Sequence, residues 1–114
     1  MGAVLVVSGA TASGKTAFAV RMAQRLKSEV VSADCMLVYK DLNIGTAKPS
    51  EEERGGIVHH LMDVADPTES FSVSDYERLA LPVCKRLLGQ RKVPVVCGGT
   101  GFYIQALLFA RRQG

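Results

Sequence analysis

No stretch of this 114-residue sequence approaches the length of a membrane-crossing helix, although 47% of its residues are hydrophobic. Its apolar N-terminus lacks the cationic start of a secretory signal, and a glycine-rich run interrupts it from residue 9. Cysteine is scarce: Cys35, Cys84 and Cys97 are odd in number and lack metal-ligand spacing. That argues against a disulfide framework and for free thiols in a reducing, cytoplasmic setting. Cys84 and Cys97 lie in apolar patterns and are expected in the core. Neither an internal repeat nor a low-complexity tract is present. Acidic residues are missing from residues 84–114, which carry six basic ones, Lys85, Arg86, Arg91, Lys92, Arg111 and Arg112. Such a segment offers either a positive surface for a polyanion or a solvated helix end favoured by the helix dipole. Also missing is an apolar strand running directly into aspartate, the means by which ordinary ATPases and GTPases help to hold Mg²⁺.

What the sequence does contain is a complete phosphate loop, Gly9-Ala10-Thr11-Ala12-Ser13-Gly14-Lys15-Thr16. Val4-Leu5-Val6-Val7 before it reads as a buried strand, and residues 17–26 after it read as a helix. Strand, loop and helix together make a cradle of backbone N–H groups for a diphosphate or triphosphate. Lys15 can reach the outer phosphates, and the Thr16 hydroxyl stands where Mg²⁺ would sit.

Further along, Phe18, Met22 and Leu26 form a helical stripe expected to pack on a sheet. Val30-Val31-Ser32 predicts a second strand, ending just before Asp34. Residues 39–70 read as irregular structure with at most a short helix from Ser50, where Glu53 completes a capping box. A stretch of that length suggests a substrate-binding excursion. A helix is expected from Ser74, with Glu77 three residues on, and Tyr76, Leu79, Ala80, Val83 and Leu87 on one face. Pro82 conflicts with it and predicts a kink. Val93-Pro94-Val95-Val96-Cys97 predicts a third strand, and Gly98-Gly99-Thr100-Gly101 a tight turn before a last helix. The alternation argues an α/β fold, a parallel sheet with flanking helices and its ligands beyond the C-terminal strand ends. Thr16, Asp34 and Thr100 would then share one crevice. Three strands make a thin phosphate-loop domain, so the expectation is one domain over 1–114 that is part of a larger fold.

Asp34 at a strand mouth can bind Mg²⁺ through water or accept a proton, or be a solvated loop residue. Thr100 can touch a ligand or cap the following helix. His59 and His60 are adjacent and share no face, so structural hydrogen bonding is the favoured reading. Lys48 is either a phosphate contact or a surface lysine.

Five segments together resemble the N-terminal part of the tRNA dimethylallyltransferase (tRNA isopentenyltransferase) family: GATASGKT at 9–16, SADCMLVYKDLNIGTAKP at 32–49, HHLMDVADP at 59–67, FSVSDY at 71–76 and VPVVCGGTGFYIQALL at 93–108. The resemblance implies transfer of a dimethylallyl group from dimethylallyl diphosphate to N6 of the adenosine beside the tRNA anticodon, with Mg²⁺. It implies that Gly9, Ala10, Thr11, Ala12, Ser13, Gly14, Lys15 and Thr16 hold the diphosphate. Asp34 matches the family's proposed general base, Thr16 the loop hydroxyl and metal ligand, and Thr100 a threonine near the reacting groups. Asp34, Cys35, Met36 and Leu37 match the tetrad at the target adenine, with Thr100 beside it. It also implies a monomer at full length and a helical RNA-enclosing insertion that this chain lacks. Ala10 replaces the usual proline. Cys35 and Leu37 replace the serine and glutamine of Asp-Ser-x-Gln, and Leu37 has no amide to read a base edge. The other readings of the phosphate loop are a small ATP-dependent metabolite kinase, a relative acting on free AMP, and an inactive phosphate-binding fragment.

Overall fold

The computed structural model describes residues 3–8, 12–40 and 48–113. The expected phosphate ligands Gly9, Ala10 and Thr11 lie outside those residues, as do the side chains of Ala12, Ser13, Arg111 and Arg112. In chain order the elements are β1 (Leu5–Val7), α1 (Ala12–Leu26), β2 (Val30–Ser32), α2 (Glu51–Arg54), β3 (His59–His60), α3 (Val73–Gly89), β4 (Val95–Cys97) and α4 (Gly101–Gln113). Every strand pair is parallel, in the order β1-β4-β2-β3. The fold is the expected α/β one, with flanking helices.

Strand order explains where the helices go. From β1 to β2 the chain crosses the sheet one way, and from β3 to β4 it returns. Right-handed connections then put α1 and α3 on opposite faces. Side-chain alternation divides the core to match. Val7, Val30 and Val95 pack with Ala19 and Ala23 of α1. Val31, Ala33 and Val96 face Tyr76, Ala80 and Cys84 of α3 and Tyr103 and Leu107 of α4. Tyr76 is fully buried, stacks on Tyr103 at 4.2 Å between ring centroids, and donates its hydroxyl to the Ser32 carbonyl at 2.7 Å. Burial pushes that phenol far above its ordinary pKa.

Three expectations change. The buried stripe of α1 is Ala19, Val20 and Ala23; of the expected stripe Leu26 does pack against this core, whereas Phe18 is 47% exposed. Two alanines let the helix approach the sheet closely, which a phenylalanine would prevent. Helix α3 begins two residues earlier than expected, capped by Ser72 with Asp75 in place of Ser74 with Glu77. Pro82 lies within α3 at an exposed position and does not end the helix. Within residues 39–70 the Ser50–Glu53 capping box is present as expected, but the segment also adds a fourth strand, β3, and a Tyr39–Ala65 bridge.

Strand β3 has only two residues, and His60 helps to fix it. His60 Nε2 and Arg86 of α3 both donate to Glu29 Oε1, each at 2.7 Å. Arg86 chiefly, with His60 and against the opposing effect of burial, holds the Glu29 carboxyl below its ordinary pKa of 4.5. A carboxyl lowered on folding stabilises fully above its unfolded value, and the contribution vanishes as pH falls through the folded value. Glu29→Gln is therefore expected to lower the urea midpoint near neutral pH. Titrations from about pH 7 to about pH 3 should show the gap from the parent protein closing below about 4.5. A constant gap would remove Glu29 ionisation from the account.

Candidate active site

Backbone bonds stitch the C-terminal strand ends together. Ala33 N–H donates to the Cys97 carbonyl at 2.8 Å, Gly98 N–H to Val7 at 3.1 Å, and Thr100 N–H to Ala33 at 3.1 Å. The contact is tight enough that a Cβ on Gly98 would stand 2.2 Å from the Ala33 carbonyl oxygen.

Asp34 follows this seam. Its Oδ1 accepts the Met36 N–H at 2.8 Å and the Leu37 N–H at 3.4 Å, so one carboxylate oxygen organises the turn after β2. Across the seam, Thr100 Oγ1 accepts the Cys35 N–H at 2.9 Å. The Thr100 carbonyl begins α4 by accepting from Tyr103 and Ile104, so the residue caps the helix through its backbone and bridges to Cys35 through its hydroxyl. From α1, Lys15 Nζ reaches to 3.3 Å from where a Cβ on Gly99 would stand. Lys15, Asp34 and Thr100 therefore meet at one end of the sheet, as a parallel sheet requires. Cys35 and Met36 are exposed beside them.

Behind this cluster, on the α1 face, lies a small cleft. Thr16 and Cys97 line it near the phosphate loop, and Ala19, Val30, Leu37 and Met62 make it largely apolar. The Leu37 side chain contributes to this cleft, a different setting from the exposed Cys35 and Met36. Cys97 is only partly buried and lines the cleft as well as packing against the core, which corrects the core-only expectation. Burial pushes its thiol up, the Lys15 charge pulls it down and the Asp34 charge adds to the rise.

Two further polar residues, His59 and Ser32, also line the cleft, and neither was assigned to it from the sequence. His59 Nδ1 donates to the Ile57 carbonyl at 2.9 Å, since a carbonyl can only accept. Desolvation chiefly lowers the His59 pKa, and Arg54 and His60 push the same way against that hydrogen bond. The neutral ring then carries its acceptor lone pair on Nε2. Ser32 is 3% exposed, and its hydroxyl has no hydrogen-bond partner among the described residues. Its position two residues after Val30 was the available signal, because alternate strand residues share a face.

Lys48 is not a surface lysine. Its side chain is 11% exposed, donates to the Tyr39 carbonyl and pairs with Asp63, stapling the turn after β2 to the segment after β3. The histidine pair serves structural hydrogen bonding, as expected. Exposed Lys85, Arg86 and Arg91 cluster at the far end of α3, where Arg86 is engaged with Glu29. Among the described residues no group of three His, Cys, Asp or Glu side chains is placed to hold a metal, and no helix is long and apolar enough to cross a membrane.

A family model described as IPP transferase matches residues 37–113, and one described as isopentenyl transferase matches residues 2–66. The tRNA dimethylallyltransferase of Acetivibrio thermocellus is 50% identical over 106 residues, covering 93% of this chain and 34% of that protein. The tRNA dimethylallyltransferase 1 of Syntrophotalea carbinolica is 51% identical over 105 residues, covering 92% of this chain and 33% of that protein. The crystal structure of the full-length tRNA isopentenylpyrophosphate transferase of Bacillus halodurans superposes with a TM-score of 0.90 at 42% identity, covering 100% of this chain and 38% of that one. A eukaryotic dimethylallyltransferase captured acting on tRNA superposes with a TM-score of 0.87 at 36% identity, covering 94% of this chain and 27% of that one. The chain spans about a third of the length of the curated relatives it matches.

Proposed function

Because the chain belongs to the IPP transferase family, we propose that it carries the donor-binding and proton-accepting part of a site that prenylates tRNA. The reaction is dimethylallyl transfer from dimethylallyl diphosphate to N6 of the adenosine beside the anticodon. The observation that carries this reading is the convergence of Lys15, Asp34 and Thr100 on one seam of the sheet. That the relatives are tRNA dimethylallyltransferases does not favour the ATP-dependent kinase.

In this reading residues 9–16 hold the diphosphate, and Lys15 offsets the negative charge that grows as the allylic C–O bond breaks. The diphosphate leaves with the bonding electron pair, N6 bonds to the allylic carbon, and Asp34 accepts the N6 proton. Thr100 and the backbone at Cys35 and Met36 hold the edge of the pocket that the flipped adenine enters. With Oδ1 bound to the turn, Oδ2 is the oxygen presented for the proton. Mg²⁺ fits this donor set: one threonine hydroxyl and one carboxylate at the strand ends suit an ion completed by phosphate oxygens and water. Thr16 and, through water, Asp34 would hold it, and it would supply charge neutralisation on the diphosphate. A cytoplasmic location and a monomeric full-length enzyme accompany this proposal.

Isothermal titration with inorganic diphosphate and with dimethylallyl diphosphate, each with Mg²⁺, tests the donor half. Lys15→Ala removes a charge-assisted contact and is expected to weaken both by about 1.5–3 kcal/mol, roughly 10- to 150-fold. Equal affinity in parent and variant would overturn the assignment. Label from dimethylallyl diphosphate appearing on free AMP but not on tRNA would instead indicate the AMP-modifying reaction.

A further inference from the structure

Strand β3 ends at His60, opposite Val31, so the last residue of β2 runs past it. Backbone groups alternate in direction along a strand. Val30 N–H points to the β3 side, donating to the Val58 carbonyl, and Ala33 N–H points the other way, to Cys97 of β4. The Ser32 carbonyl therefore faces the side on which the ladder has stopped. Tyr76, in the first turn of α3, supplies the missing donor: its hydroxyl reaches that carbonyl at 2.7 Å.

A buried carbonyl needs a partner, which explains a hydroxyl at the centre of this core. It does not explain where the bond falls, two residues before Asp34. The Tyr76 ring stacks on Tyr103 at 4.2 Å with 11° between the planes, and Tyr103 N–H donates to the Thr100 carbonyl. Thr100 in turn donates its own N–H to Ala33 and accepts from Cys35 through its hydroxyl. These contacts close a circuit that holds Ser32 and Ala33 before Asp34 and Cys35 after it. We propose that Tyr76 is a positioning residue for Asp34, its hydroxyl fixing the end of β2 so that the free carboxylate oxygen stays presented to the reacting amine. The proposal rests on the reading of Asp34 as proton acceptor. Phenylalanine at this position keeps the ring stack but leaves the Ser32 carbonyl without its donor, and a displacement of about 1 Å at a reacting group can cost about a hundredfold in rate.

Tyr76→Phe tests this in two ways. In hydrogen exchange followed by NMR, the Cys35 and Met36 amides, held by Thr100 and Asp34, are expected to exchange about tenfold faster than in the parent protein. Leu87→Ala is the control, since it opens a cavity at a fully buried position about three turns along the same helix and should leave those two amides unchanged. Unchanged exchange in Tyr76→Phe, or an equal increase in Leu87→Ala, overturns the proposal alone. In single-turnover prenyl transfer, Tyr76→Phe is expected to slow the rate about tenfold with the affinity for dimethylallyl diphosphate unchanged. Added to Asp34→Asn, it should cost nothing more, because an effect exerted through a carboxylate disappears with it. Equal losses in the two backgrounds would make Tyr76 a purely structural residue and overturn the proposal. A parent-like rate in Asp34→Asn itself would overturn the reading of Asp34 as the base, and the proposal with it.

Discussion

Asp34→Asn is expected to slow prenyl transfer to adenosine N6 by about 10²- to 10⁴-fold, the usual contribution of a positioned general base. Structure makes this substitution informative. The amide oxygen of asparagine can still accept the Met36 and Leu37 N–H groups that Asp34 Oδ1 accepts, so the turn survives. What disappears is the basic second oxygen. Single-turnover rates should therefore fall while the affinity for dimethylallyl diphosphate changes little. A variant rate equal to the parent's would remove Asp34 from proton transfer. Loss of affinity for tRNA at an unchanged maximal rate would make it a base-orienting residue.

Gly98→Ala is expected to destabilise the protein by about 4 kcal/mol, at the upper end of single substitutions. The added Cβ would lie 2.2 Å from the Ala33 carbonyl oxygen and 2.4 Å from its carbon. Both are backbone atoms and cannot rotate aside, so β4 would have to separate from the end of β2. That separation breaks the Ala33–Cys97 and Thr100–Ala33 bonds and pulls Thr100 from Cys35. Gly99→Ala is the natural control, because its Cβ would meet only the flexible end of Lys15, at 3.3 Å. Urea unfolding of the two variants separates these cases. Similar midpoints would show that the seam is more accommodating than its geometry implies.

The strands at 4–7, 30–32 and 93–97 were legible because short continuous valine-rich runs are what a parallel sheet takes, although β1 lies at the sheet edge with only Val7 buried. Strand β3 was not, since two histidines carry no alternation and the strand depends on Glu29, thirty-one residues from His60 in sequence. The start of α3 was ambiguous because Ser72–Asp75 and Ser74–Glu77 both satisfy the capping-box spacing. Tertiary packing resolves it. With Ser72 as cap, the preceding Phe71 and the fourth helical residue Tyr76 both join the core around Tyr103. With Ser74, the corresponding pair would be Val73, which is 38% exposed, and Arg78, which is also exposed. At the site, sequence pointed to Lys15, Asp34 and Thr100 individually. The bond from Cys35 to Thr100 spans sixty-five residues, and neither spacing nor composition encodes it. The setting of Lys48 was not legible for the same reason, because its partners Tyr39 and Asp63 come from two other segments.

Strand order also bears on how the chain folds. β1 and β2 never pair with each other; β4 lies between them and matches Leu5 to Val95 on one side and Val30 to Val95 on the other. During synthesis the N-terminal strand must therefore wait, unpaired in the sheet, until about ninety further residues have emerged. Closing so long a loop precedes any reward from strand pairing, which raises the entropic part of the folding barrier. Until β4 arrives, β1 and the bare edge of β2 present open hydrogen-bonding edges to other chains. Strand β4 is the one that turns two separate strand edges into a sheet, so its arrival governs both the pace of this step of folding and the period of exposure to aggregation.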